Sequence, residues 1–474
     1  MPSKDDEIWA YVDAKRDEFV ALSDRVWGMP ELNFAEERSG AEHARALERE
    51  GFRVTRNVGG LPTAVIGEAG DGGPVVGILG EYDALPGLSQ EAGVAEPRPV
   101  AEGGNGHGCG HNLLGAGSLL AATAVKDYLA AKGLAGRVRY YGCPAEEGGS
   151  GKAFMVRAGA FDDVDVAVSW HPSSFIGVFD AAALANTMID FAFTGRASHA
   201  AAAPELGRSA LDAVELMNVG VNYLREHMSD RARIHYAVLD TGGIAPNVVQ
   251  AKANVRYMIR GVDLAEVTSL LERVRKVADG AALMTETSVE GRIRTGMSNL
   301  VGNAPLERTM QAILERLGPP DFDDEDRAIA AMFQATFRPE DIAAAYRREG
   351  LQPRSDAVLC DGVTPLDAKG EGGRGSTDVG DVSWVVPTVQ TRGATAAIGT
   401  PGHSWQITGQ GKTEHAKKGM VQAAKAMAST ALVALTDAQL REDAKQELRE
   451  RTGGPYQSPV PDGVEPPLDF SRGA

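Results

Sequence analysis

Between Gly103 and Asn112 the chain reads GGNGHGCGHN, which places His107, Cys109 and His111 on every second residue of a glycine-rich run. A thiolate and an imidazole two residues apart can converge on one borderline-soft cation such as Zn²⁺. Gly106, Gly108 and Gly110 suit tight turns and close backbone approach. The apolar run LLGAGSLLAATAVKDYL follows at once, so the loop ends where a helix begins. Other apolar runs end on groups of the same chemistry. PVVGILG runs into Glu81, Tyr82 and Asp83, VRYYGC into Pro144, Ala145, Glu146 and Glu147, and VDVAVSW into His171. ATAAIGT leads to His403 in PGHSW.

Cys109, His111, Glu147, His171 and His403 are too many ligands for one tetrahedral zinc. They suit two divalent ions that share a bridging ligand and a water. Zn²⁺ fits the thiolate, while the imidazoles and the carboxylate also tolerate Mn²⁺. Glu146 and Glu147 supply a ligand and a general base if one binds metal and its neighbour faces the water. A solvated turn is the alternative for this pair taken alone. Asp83 suits the task of orienting a ligating side chain. His43, His107, His227 and His415 read as structural or surface histidines, and Cys143 as a small buried hydrophobe. Closely spaced CxxC pairs and the phosphate-binding glycine patterns are absent from the sequence.

The elements that must hold these groups follow from composition and periodicity. A chain of 474 residues with 43% apolar composition is globular and long enough for two or three domains. Its 48 basic and 65 acidic side chains give a net charge of −17, which argues against nucleic acid or an anionic membrane as partner. Three cysteines fit a reducing compartment. With neither an apolar signal core at the start nor a long apolar run elsewhere, a soluble cytoplasmic protein is expected.

Helical spacing marks 5–26, 35–50, 112–131 and 151–158, alternating with short β-branched strands. This rhythm predicts an α/β fold, a mostly parallel sheet with helices on both faces. In such sheets binding groups gather beyond the carboxyl ends of the strands, where Asp83, the glutamate pair and His171 fall. The rhythm changes near 187. MIDFAFTG, a helix at 207–227, IHYAVLD, VVQAKANVRYMIR, a helix at 263–281 and ALMTETSVEGRI predict an inserted α+β unit of order β-α-β-β-α-β. The expected organisation is a catalytic domain in two parts, 1–186 and 299–474, interrupted by a lid or dimerisation domain at 187–298. Helices at 303–317 and 324–336, strands at WVVPTVQ and ATAAIGT and a long helix over 412–440 complete the first domain. Residues 87–106 read as a long loop and the C-terminal end as an extended surface tail.

The segments GEYDALPG, GHGCGHNLLG, PAEEGGSGK, FTGRASHAAAAPELGRSALDAVELMNVGVNYLREH and GRGSTDVGDVSW resemble the M20 family of metallopeptidases and amidohydrolases. The resemblance extends from about residue 5 to 455. It implies Cys109, His111, Glu147, His171 and His403 as ligands of two metals, Glu146 as general base and Asp83 as the acid behind the metals. It also implies that His199, in the lid, reaches a partner subunit's site and stabilises the oxyanion. Asn247 and Arg256 resemble positions that contact a substrate carboxylate, and an amide plus a guanidinium is a sensible clamp for one. Ser376, Thr377 and Asp378, in a glycine-rich stretch with exposed N–H groups, are candidates for lining the pocket or binding an anionic end. The activity implied is hydrolysis of an N-acyl or N-aroyl amino acid amide with a free carboxylate, p-aminobenzoyl-glutamate first among the candidates. The alternatives are a dipeptidase, another N-acyl amino acid hydrolase, a hydrolytic deaminase of an aromatic amine, or a binding or regulatory subunit without catalysis. A homodimer is expected, with pairing to a related chain as the other arrangement.

Overall fold

Buried on both faces, the runs PVVGILG and VDVAVSW form the middle of a seven-stranded sheet. The structure, a computed structural model, describes residues 4–178, 182–368, 370 and 375–470. Its strands are β1 (Arg53–Arg56), β2 (Val65–Asp71), β3 (Val75–Glu81), β4 (Gly136–Cys143), β5 (Val166–Ser173) and β6 (Gly177–Val178). They continue with β7 (Ala185–Thr194), β8 (Arg233–Asp240), β9 (Lys252–Gly261), β10 (Ser288–Met297) and β11 (Thr388–Ala394). The large sheet has the order β1-β2-β4-β3-β5-β11-β6. Its centre, β4-β3-β5-β11, is parallel, and antiparallel pairings close both margins, so the sheet is mixed.

Alternate residues of β3 feed two separate cores: Val76 and Ile78 one, Val75 and Leu79 the other. That is why the run is apolar without a break. On one face the helices His111–Lys132 and Glu414–Thr436 are buried along nearly their whole length. Lys4–Trp27 packs outside them. A Cβ on Gly117 would lie 2.9 Å from Met420 and 3.1 Å from the Trp170 ring, so helix, helix and strand meet there over a glycine. Close packing at this density makes even one added methyl costly.

The smaller sheet, β10-β7-β9-β8, is antiparallel throughout. Helices Ala210–Leu224 and Leu264–Thr285 cover one face, capped by Ser209 and Asp263, which accept from Asp212 N and Glu266 N. Ile189, Phe191, Phe193, Val255, Tyr257 and Ile259 fill this face. The intervening residues point the other way, in register: Asn186 opposite Arg260, Met188 opposite Met258, Asp190 opposite Arg256.

Several elements differ from the sequence expectation. ATAAIGT is not a strand: the chain leaves the sheet after Ala394, and Thr395 N bonds Ser173 O while Ala397 N bonds Gln410 Oε1. Alanine has little preference for a strand, and Gly399 turns the chain at φ +99°. WVVPTVQ enters the sheet only at Thr388, after Pro387. The long helix over 412–440 is two helices, Glu414–Thr436 and Ala438–Thr452, because Asp437 caps the second through Leu440 N. An additional helix, Pro339–Arg348, starts at a proline that suits the first helical turn.

The C-terminal tail is extended, as expected, but tied down. Val460 is buried, and Arg157 donates to the carbonyls of Pro461 and Val464. Tyr456 donates to Asp381 Oδ1 at 2.8 Å, and the same carboxylate receives Ser298 at the end of the small sheet. Phe470 lies under the guanidinium groups of Arg256 and Arg294. Tyr456→Phe removes a hydrogen bond to a buried carboxylate and is expected to lower the unfolding free energy by ~1.5–3 kcal/mol in urea titration. A loss below about 0.5 kcal/mol would show that this end of the tail contributes little.

Candidate metal centre

Separate chain segments converge at the carboxyl end of the parallel strands. Cys109 and His111 come from the loop that opens the helix His111–Lys132, Glu146 and Glu147 follow β4, His171 stands on β5, and His403 follows β11. Cys109 Sγ is 3.4 Å from His171 Nε2, and His403 Nε2 is 3.3 Å from Glu147 Oε2. His111 Nε2 lies 4.0 Å from Glu147 Oε1. Ligands held at 2.0–2.3 Å around one ion stand roughly 3–4 Å apart, so these spacings fit ion coordination. Cys109, His111 and His171 form one cluster and Cys109, Glu147 and His403 another, with the thiol common to both.

The donor set also asks for cations. Glu147 Oε1 is buried without a hydrogen-bond partner, and His111 Nε2 is buried among acidic groups, with Glu81 Oε2 at 3.2 Å and Glu147 Oε1 at 4.0 Å. Burial, then the Glu147 carboxylate, pushes the Cys109 thiol far above its ordinary value. Burial, then Glu81 and Glu147, likewise raises Glu146. Divalent ions among these groups would reverse that tendency by offsetting the buried negative charge.

The supporting contacts are specific. Asp83 Oδ1 accepts from His111 Nδ1 at 2.8 Å, and its Oδ2 accepts from Glu147 N at 2.8 Å. His171 Nδ1 is bonded to Pro172 O, leaving Nε2 to face Cys109. Ala145, just before the glutamate pair, has φ +59°, a strained value for a residue with a Cβ. Its N–H is held at 2.8 Å by Glu36, a fully buried carboxyl raised to about 8 by burial and by Asp83. His403 has φ +52° and donates its N–H to Gly108 O, pinning it beside the cysteine loop. Its side chain is 58% exposed, at the mouth of the site.

A pocket of about 700 Å³ opens from these groups to the exposed face of the small sheet. Asn186, Met188, Met258, Arg260 and Met297 line that side, and Ser376 and Thr377 a second wall. Arg260 donates to Ser376 Oγ at 3.0 Å and has no carboxylate partner among the described residues. Arg256, four residues earlier, is instead held by Asp190 at 2.7 and 2.9 Å and does not line the pocket. Asp378 is fully buried, bonded to Lys152 Nζ at 2.6 Å and to Lys152 N at 2.8 Å. Residues 371–374 of the same glycine-rich stretch lie outside the described residues. His199 and Asn247 sit on the surface of the small unit, joined by Ala200 N to Asn247 O, and neither lines this pocket.

Sequence reasoning missed Glu81, Lys152, Glu36 and Arg260. Lys152 has no exposed surface and lies 2.5 Å from Glu81 Oε1, while Glu81 Oε2 is 3.2 Å from His111 Nε2. One signal was present: Glu81 and Asp83 are two apart on an extended segment and so share a side.

The family model of peptidase family M20/M25/M40 matches residues 77–463. A p-aminobenzoyl-glutamate hydrolase subunit of Escherichia coli strain K12 is 48% identical over 476 residues, covering 97% of this chain and 99% of that protein. The chain belongs to this family. The Xaa-Arg dipeptidase of Mus musculus is 29% identical over 453 residues, covering 92% of this chain and 90% of that protein. A dinuclear metal binding peptidase from Bacillus subtilis, 18% identical, has the same fold, with TM-score 0.54 over 89% of this chain and 99% of that one. Family membership and the Cys/His/Glu clusters make the protein a metal-dependent hydrolase of amide bonds with a two-ion divalent site. No described helix is long and apolar enough to cross a membrane.

Asp83 accepts two hydrogen bonds on two oxygens, which an amide cannot do. Asp83→Asn is therefore expected to weaken metal binding by about 10–100-fold in competition with a chelator. Unchanged affinity would mean that Asp83 does not hold the ligands in place.

Proposed function

We propose that this hydrolase splits N-aroyl or N-acyl amino acids, with p-aminobenzoyl-glutamate giving p-aminobenzoate and glutamate as first substrate. The observation that carries the reading is Arg260, a guanidinium without an acidic partner among the described residues, facing a pocket that also contains the Cys/His/Glu clusters. The 48% identity with the Escherichia coli hydrolase chain supports the choice of substrate.

In this reading Cys109, His111 and His171 would hold one ion, and Cys109, Glu147 and His403 would hold the other. When bound, the ions polarise the amide carbonyl and acidify the attacking water. Glu146 takes the proton from that water and returns it to the leaving nitrogen. Arg260 and Ser376 anchor the substrate carboxylate, the part first expected of Arg256, and Asn247 is kept as a contact only if a second copy brings it close. Thr377 lines the same wall, while Asp378 acts through Lys152. Met188, Met258 and Met297 give an adaptable apolar side for the acyl group. A dipeptidase for cationic residues needs a free acid in the pocket; the candidate, Glu349, is already paired with Arg392.

His199 completes the site of a second copy, where it donates to the oxygen that gains charge. Its exposure supports this, as does β8, a sheet edge with Tyr236, Val238 and Leu239 exposed. Open edges of this kind are usually covered. The small unit at 187–298 would then be both lid and dimer contact. A cytoplasmic location agrees with three free cysteines. Pairing with a related chain would leave the purified protein inactive until that chain is added.

Glu146→Gln should keep folding and metal content while lowering kcat by ~10²–10⁴-fold, measured as released glutamate. Loss of metal instead would exchange the roles of Glu146 and Glu147. Mixing inactive His199→Ala subunits with inactive Glu146→Gln subunits should restore activity toward half the wild-type value per mixed dimer. Subunits that exchange, as native mass spectrometry would report, yet stay inactive would place His199 outside a shared site.

A further inference from the structure

The pocket has a second cationic wall, to which the reading above assigns no part although its first substrate carries two carboxylates. Arg392 stands on β11 directly beside His171 on β5, in parallel register, so both side chains share one face of the sheet. Arg348, the last residue of the helix Pro339–Arg348, lines the pocket next to it. Arg392 is ion-paired with Glu349 and donates to Val178 O at 3.3 Å, while its Nε is buried without a partner. Arg348 has no ion-pair partner among the described residues, and its neighbour Asp341 is held at both oxygens by Arg338. Two guanidinium groups and one carboxylate leave this wall with net positive charge. Arg260 gives the opposite, lid-side wall its own, and both belong to a chain whose net charge is −17. A substrate with a single carboxylate satisfies one of these walls and leaves the other unanswered.

We infer that the wall formed by Arg348 and Arg392 is a second anion subsite, so that the preferred substrates are N-acyl amino acids with a second acidic group. This inference rests on the amidohydrolase reading for the word substrate, but the subsite itself is a matter of binding. The second acid can be on the amino-acid side chain or on the acyl group, and the same guanidinium chemistry would receive either. Arg392 is braced by Glu349, whereas Arg348 is exposed at the end of its helix.

The test uses metal-loaded full-length protein and sulfonamides, in which a sulfonyl group replaces the carbonyl of the amide that would be split. N-benzenesulfonyl-glutamate, N-benzenesulfonyl-glutamine and N-(4-carboxybenzenesulfonyl)-glutamine are compared by titration calorimetry. One of the two ligands with an added acid is expected to bind about tenfold more tightly than N-benzenesulfonyl-glutamine, and which of them does so identifies the source. Arg348→Ala should reduce that preference to about threefold or less and leave the affinity for N-benzenesulfonyl-glutamine unchanged. Arg260→Met should weaken all three ligands alike. Equal affinities in the wild type, or a preference that survives both Arg348→Ala and Arg392→Gln, would overturn the subsite. Turnover of the corresponding benzoyl amides is measured separately. Intact discrimination without turnover, even after the related chain is added, would refute N-acyl amino acids as substrates and leave the subsite standing.

Discussion

Buried negative charge is the constraint on which the structure depends. Glu81, Asp83, Glu146 and Glu147 converge where the parallel strands end, with Asp378 just behind. An isolated carboxylate in such surroundings would take up a proton rather than stay charged. Much of this charge is tied to compensating groups. Asp83 is held low, against its burial, by His111 and by the Glu147 N–H. Glu81 and Asp378 share Lys152, whose ammonium is kept charged by those two acids despite complete burial. What is left uncompensated, at Cys109, Glu147 and Glu146, is the charge that two divalent ions would offset.

That arrangement also explains the architecture around it. The parallel core places β3, β4 and β5 side by side, so three strand ends deliver acids and an imidazole to one edge. The strained turn at Ala145 is tolerated because Glu36 holds the Ala145 N–H and Asp83 holds the N–H between the two glutamates. Lys152 connects this edge to Asp378, and two residues before it Ser376 touches Arg260 of the small sheet. The Cys/His/Glu clusters and the Arg260 side chain are thus linked by one chain of contacts that crosses from the larger unit to the smaller. The tail closes the same junction through Tyr456, Asp381 and Ser298.

The elements that sequence analysis misplaces have separate causes. Local pattern alone makes ATAAIGT a strand and 412–440 one helix, yet Ala397 N is satisfied by Gln410 and the helix is cut by the Asp437 cap. Weak strand propensity together with tertiary hydrogen bonds decides the first case, and a capping residue inside an otherwise helical pattern decides the second. Arg256 and Arg260 share one face of β9, and alternation alone cannot rank them. Asp190, opposite Arg256 in register, decides which is already occupied.

By itself the sequence determined the fold class, the inserted β-α-β-β-α-β unit and most of the residues able to bind metal, Glu81 being the exception. These are properties of periodicity and side-chain chemistry, which are local, and of motifs whose spacing is specific. Only the tertiary structure decided that Cys109 is common to two clusters, that Lys152 is buried between two acids, and that Asp378 supports the pocket instead of lining it. Those facts depend on which remote segment lies opposite each side chain. Burial and pairing are set by contacts between residues far apart in the chain, and no local pattern encodes them.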